Sequence, residues 1–269
     1  MKVALLKVFL MKTQTSLELI LKKDRYILIA GLFFLCALSW WYIIYLYQQM
    51  HPMNMDAFLF AMPMTPHWTL SDFVLLFFMW LVMMIAMMVP SVAPLVLIFA
   101  MVNRQKREMQ NPFVPAGYLL GGYFIVWTLF SFLATILQWF FQKISWLNPE
   151  MVVTNRILGG VMLIAAGLFQ FTPLKTRCLN YCRNPVDFIH HRWKQGKAGA
   201  LKMGIGNGVY CLGCCWTLMI LLFVTGIMNV LWIALIAAFV LVEKLLPGVK
   251  WVSYVGGAGL IAYGIWILI

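Results

Sequence analysis

The sequence predicts an all-α polytopic membrane bundle of about seven transmembrane helices with a cytoplasmic N-terminus. Three observations carry that reading. Hydrophobic residues make up 64% of the 269 positions and charged residues only 10%. Several uncharged apolar runs reach eighteen residues or more, long enough to cross a bilayer as helix. The basic residues gather between those runs rather than inside them. A soluble enzyme with its own water-shielded core is thereby excluded. The net charge of +12, which would suggest nucleic acid in a soluble chain, has its cause in membrane orientation instead.

Residues 1–25 form a basic segment, cytoplasmic or interfacial. Leu5, Leu6, Phe9, Leu10, Leu17, Leu19, Ile20 and Leu21 alternate with Lys2, Lys7, Lys12, Lys22 and Lys23, the pattern of a helix lying on a membrane surface. Lys7 interrupts the apolar stretch, and no small-residue cleavage site follows, so the segment does not read as a secretory signal. Residues 26–269 then form a single transmembrane domain.

Its spans read as about 26–47, 70–100, 116–142, 157–171, 203–224, 230–246 and 251–269. The fourth is short, and the last two are joined only by Pro247-Gly248. Those two read alternatively as a re-entrant pair, which would give six. Eighteen of the twenty basic residues fall on alternate connections, leaving Lys143 and Arg156 on the other side. The positive-inside rule therefore places the N-terminus in the cytoplasm and, with seven spans, the C-terminus outside.

The first outer connection, residues 48–69, holds Met50, His51, Met53, Met55, Met62, Met64 and His67, with three prolines and no basic residue. Thioethers stay available as ligands in an oxidising compartment where a free thiol is lost to disulfide, and Met with His suits Cu(I). An interfacial loop whose methionines dip among lipid headgroups is the plainer reading.

In the second span Met79, Met83 and Met87 fall at i, i+4 and i+8, with Met84 and Met88 as a second row beside them. Such stripes usually serve as adaptable packing. Pro90 and Pro94 are expected to end or kink the helix and release carbonyls that need other partners. The third span presents Gly117, Gly121 and Gly122, with Gly117-x-x-x-Gly121 allowing close helix contact, and reads as scaffold.

The basic cytoplasmic loop, residues 173–202, carries Cys178 and Cys182 at i, i+4. Lys175, Arg177 and Arg183 beside them should favour the thiolate. His190 and His191 read as surface residues near headgroups. The fifth span holds Tyr210-Cys-Leu-Gly-Cys-Cys-Trp216, so that Cys211, Cys214 and Cys215 share one helix face. One such cysteine is an ordinary small filler; three in five residues make a seat for a soft metal or a dithiol exchange. Cys211 lies about 12 Å and Met88 about 18 Å from the cytoplasmic ends of their spans, so the two sulfur sets are expected to face each other. Glu243, near the cytoplasmic end of the sixth span and followed by Lys244, reads either as a functional intramembrane acid or as a snorkelling interfacial pair.

Three blocks together carry a resemblance. They are Trp80-Leu-Val-Met-Met-Ile-Ala-Met-Met-Val-Pro90, then Pro173-Leu-Lys-Thr-Arg-Cys178 with Cys182-Arg-Asn-Pro185, then Gly208-x-x-Cys211-x-Gly213-Cys-Cys-Trp-x-Leu-Met219 followed later by Glu243-Lys244. From the second helix onward the chain resembles a bacterial family of predicted metal-binding, multi-pass membrane proteins of unknown function. The resemblance implies a protein of the bacterial inner membrane that handles a metal. The Met/His loop is not part of that pattern.

The expectation is a Cu(I)-handling membrane protein, with Zn as the other candidate metal. His51, Met53, Met55, Met64 and His67 would collect the ion, Met83, Met84, Met87 and Met88 would relay it, and Cys211, Cys214, Cys215, Cys178 and Cys182 would receive it, with Glu243 nearby. Thiolate holds Cu(I) more tightly than thioether, which favours inward transfer. No phosphate-binding loop is present to couple ATP. Expected partners are the bilayer, the metal and a periplasmic or cytoplasmic metallochaperone, with no nucleic acid and no oligomeric state indicated. Two other classes stay open: a membrane oxidoreductase, working by thiol–disulfide relay or a metal centre, and a small-molecule permease with structural cysteines.

Overall fold

The computed structural model describes residues 26–48, 68–108, 114–147, 152–246 and 250–269. The basic segment 1–25, the turn at Pro247-Gly248, and the predicted ligands His51, Met53, Met55, Met64 and His67 lie outside them.

The described residues are all-helical: α1 (Tyr26–Gln48), α2 (Leu70–Glu108), α3 (Gly117–Lys143), α4 (Arg156–Gln170), α5 (Pro173–Arg183), α6 (Pro185–Arg192), α7 (Gly196–Ile220), α8 (Leu222–Thr225), α9 (Val230–Leu245) and α10 (Lys250–Leu268). Among these residues the one β contact is an isolated bridge between Leu147 and Val153. Five helices are long and apolar enough to cross a membrane: α1, α2, α3, the α7–α8 unit and α10. There are six if α4 and α5, bent by 62° at their junction, count as one span. At 16 residues, α9 falls short of that length.

Local chemistry sets the breaks. Asn155 caps α4 by accepting from the backbone N–H groups of Ile157 and Leu158. Thr172 caps α5 by accepting from Lys175 N, and Pro173 follows at the first helical position, where no N–H is needed. Asn184 ends α5, Pro185 opens α6, and Asn229 caps α9. Ser131 and Thr135, fully buried on α3, donate to the carbonyls of Trp127 and Ser131 on their own helix. That satisfies two hydroxyls without a partner helix.

The prolines do not end α2, which runs through both Pro90 and Pro94. Pro90 lacks the N–H that would bond the Ala86 carbonyl. The Cys36 thiol of α1 reaches that carbonyl at 3.8 Å. A neighbouring helix supplies the missing donor, so the break is repaired rather than left open.

Two helix pairs hold the bundle. α3 and α7 run parallel and cross closely at Gly122 and Gly204. A Cβ on Gly122 would strike the Leu201 carbonyl oxygen, and one on Gly204 the Leu119 carbonyl oxygen. No side chain fits at either position. Of the predicted small face, Gly122 makes this approach, whereas Gly117 faces open space and Gly121 makes only ordinary contact with Leu201. α4 and α10 run antiparallel, with Gly160 opposite Gly264 and Gly167 opposite Gly257. α2 packs against α3, α6 and α9, and α9 packs in turn against α5 and α10.

Candidate metal centre

α7 presents its three cysteines inward as the i, i+3, i+4 spacing requires, and all three are buried. The Cys214 and Cys215 thiols both donate to the Cys211 carbonyl oxygen, at 3.0 and 2.9 Å. α5 lies along the flank of this face and comes close to α7 at Gly213. A Cβ there would stand 2.9 Å from the Cys178 sulfur. One turn further along α5, Cys182 lines the same small cavity as Cys211. Four thiols from two helices therefore gather at one place, with Cys178 at its margin. All six cysteines are free.

The cation beside this cluster is Lys244 of α9. Its Nζ donates to Cys211 Sγ at 2.9 Å and to Ser91 Oγ at 3.1 Å, and lies 3.9 Å from Met88 Sδ. From α3, the Tyr123 hydroxyl sits 3.0 Å from Cys211 Sγ and 3.5 Å from the Met88 carbonyl oxygen. Cys211 thus faces an ammonium and a phenol in an environment with almost no water contact. A cavity of about 160 Å³ opens onto the group, lined by Ser91, Tyr123, Cys182, Arg183, Asn207, Cys211 and Lys244 among others.

A second buried cluster lies on the other side of the α9 backbone. Lys175 and Glu243 pair at 2.6 Å with side chains 1% and 2% exposed. Ser253 of α10 donates to the same carboxylate oxygen at 2.6 Å, and Lys175 also donates to Gln170. Arg183 Nε donates to the Glu243 carbonyl oxygen at 2.7 Å. The snorkelling alternative for Glu243 and Lys244 is ruled out by their burial. Nor do Lys175 and Arg183 turn to the cysteines of their own helix, as their spacing suggested. Both turn to Glu243, and Lys244 takes the place beside the thiols.

The predicted ligands thus separate. Cys182, Cys211, Cys214, Cys215 and Met88 are together, and Cys178 adjoins them. Met83, Met84 and Met87 are buried in the core on the turns preceding Met88. Glu243 is engaged by Lys175 instead of facing the sulfurs. Tyr123, Ser91 and Lys244 were not anticipated as members of the site. The Glu243-Lys244 pair was the one available signal, since two adjacent charges near a span end are uncommon.

The donor set is chemically soft: thiols and a thioether, with no carboxylate turned toward them among the described residues. It fits a soft cation better than a hard one. Among the described residues, however, no three His, Cys, Asp or Glu side chains already surround a common metal position. Two of the α7 thiols are turned onto a backbone oxygen, and either gives up that bond if it takes an ion.

No curated protein and no solved structure matches this chain. A family model described as "Copper chaperone" (PpoB2) matches residues 77–267, which take in the Met-rich stretch of α2, both cysteine-bearing helices and the Glu243-Lys244 pair. On the breadth of that match, the chain belongs to the PpoB2 copper chaperone family.

Proposed function

We propose that this protein binds Cu(I) at the junction of α5 and α7 and passes it across or along the membrane in which it sits. The observation that carries the reading is the meeting of Cys182 and Cys211, thiols 29 positions apart in the chain, at one small cavity with Lys244, whose ammonium also reaches the thioether of Met88. Clustered thiols suit soft and borderline metals, and an added thioether suits Cu(I) among them. The family description points to the same metal.

In this reading the chain lies in a bacterial inner membrane with its N-terminus in the cytoplasm and seven spans. His51, Met53, Met55, Met64 and His67 collect Cu(I) on the outer side. Met83, Met84, Met87 and Met88 hand it inward by thioether exchange. The thiol cluster holds it for release to a metallochaperone, with Cys178 at the exit. The gradient from thioether to thiolate gives the direction.

The test is a Cu(I) competition titration of the detergent-purified chain against a chromophoric Cu(I) chelator under reducing conditions. Wild type is expected to bind Cu(I) tightly enough to compete. Cys182→Ser and the double variant Cys211→Ser, Cys214→Ser are each expected to lose at least a hundredfold in affinity. Unaltered binding in the double variant would place the ion elsewhere and overturn the proposal.

A further inference from the structure

We infer that Lys244 makes the thiol cluster selective for a monovalent soft cation over a divalent one. The inference rests on the Cu(I) reading above and asks what excludes Zn(II), which thiolates also bind well.

Lys244 is 5% exposed, yet the acid next to it in sequence, Glu243, is already paired with Lys175. The groups meeting the Lys244 ammonium are Cys211 Sγ, Ser91 Oγ and Met88 Sδ. Two of these carry no charge under any ordinary condition. The balancing negative charge for this buried ammonium has to come from the thiols.

A buried site strongly favours zero net charge, because charge taken out of water is costly unless matched. Arg183 lines the same cavity, so three thiolates balance its guanidinium, the Lys244 ammonium and Cu(I). The same set with Zn(II) sums to +1. A fourth thiolate would restore neutrality, but zinc also requires four tetrahedral ligands. Cys214 and Cys215 are adjacent on one helix, and a tetrahedral set would have to draw both away from the Cys211 carbonyl they now bond. Cu(I) is satisfied by two or three soft donors and makes no such demand. In addition, an ion seated on Cys211 lies within a few ångströms of a fixed ammonium. The repulsion between them scales with the charge of the ion, so it is twice as large for a divalent metal.

Lys244 is in this sense a positioning residue: it sets the charge of the cavity without serving as a ligand. The experiment measures Cu(I) and Zn(II) affinities separately, each against its own chromophoric chelator, on the purified full chain. The variants are Lys244→Met, Lys244→Arg and Ser91→Asp. The first removes the positive charge and the second keeps it. The third leaves the lysine in place but sets a carboxylate where its 3.1 Å partner stands.

Lys244→Met and Ser91→Asp are expected to raise Zn(II) affinity at least tenfold relative to Cu(I), while Lys244→Arg keeps the wild-type ratio. A purely structural role for the lysine would shift both metals together and leave the ratio unmoved. An unchanged ratio in a folded Lys244→Met or Ser91→Asp protein overturns the inference while wild-type Cu(I) binding still stands. Wild type that binds no Cu(I) overturns the proposed function as well.

Discussion

Lys175 and Glu243, 68 positions apart in the chain, meet at 2.6 Å with both side chains sealed from solvent. The pair ties α5 to α9, and Ser253 adds α10 to the same carboxylate. Because Lys244 follows Glu243 directly, this ion pair also fixes how the next residue enters the thiol cluster. A charge buried without its partner typically costs roughly 3–5 kcal/mol, whereas replacing both members by apolar residues is often neutral. Lys175→Met is therefore expected to lower thermal stability in detergent sharply, and the double variant Lys175→Met, Glu243→Leu to recover most of the loss. Equal unfolding temperatures for the two would show that the pair holds nothing together.

The α3–α7 crossing gives a second contrast. Gly122→Ala puts a methyl group into the Leu201 carbonyl, while Gly117→Ala puts one into open space. Overpacking of this kind costs typically about 1–3 kcal/mol, and against backbone the upper end applies. Gly122→Ala should unfold at lower temperature and weaken Cu(I) binding, because Tyr123 moves with it. Gly117→Ala should match or slightly exceed wild type, since alanine favours the helix by roughly 0.5–1 kcal/mol over glycine. Thermal scans of the two proteins side by side check this.

Met88 is the one methionine of the α2 rows shown within 4 Å of the Lys244 ammonium. Leucine has a similar volume, and such a swap usually costs under about 1.5 kcal/mol in stability. Met88→Leu is expected to weaken Cu(I) binding about tenfold, the equivalent of about 1.4 kcal/mol. Met84→Leu should leave equilibrium affinity unchanged and slow uptake into reconstituted vesicles. Copper titration and vesicle uptake separate the two effects.

Thiol accessibility offers a test that needs no substitution. Cys182 and Cys211 line the cavity, whereas Cys215 is fully buried away from it. Brief alkylation of the metal-free protein, read residue by residue by mass spectrometry, should label Cys178 and Cys182 well ahead of Cys215. Prior loading with Cu(I) should protect Cys182 and Cys211. Equal labelling with and without copper would place the metal away from these thiols.

What the sequence by itself determined is what depends on local order and composition. Helical character follows from long apolar runs, and the predicted spans fall on described helices, five or six of which are long and apolar enough to cross a membrane. The sharing of one face by Cys211, Cys214 and Cys215 follows from 3.6 residues per turn, and the soft character of the donors from side-chain identity alone. The bend between α4 and α5, where Thr172 caps and Pro173 opens the second helix, explains why the fourth span read as short.

The tertiary structure alone decided which groups these helices bring to one another. Basic residues look alike in sequence: Lys175 and Lys244 counted with the flanking positive charges, yet both are buried, one on Glu243 and the other on Cys211. Tyr123 lies on a helix with no other sign of chemistry and reaches the thiol only because Gly122 and Gly204 let α3 and α7 approach so closely. Periodicity tells which way a side chain faces along its own helix. It carries no information about which atom of a distant helix waits there, since that is fixed by crossing points set by a few glycines and by ion pairs spanning tens of residues.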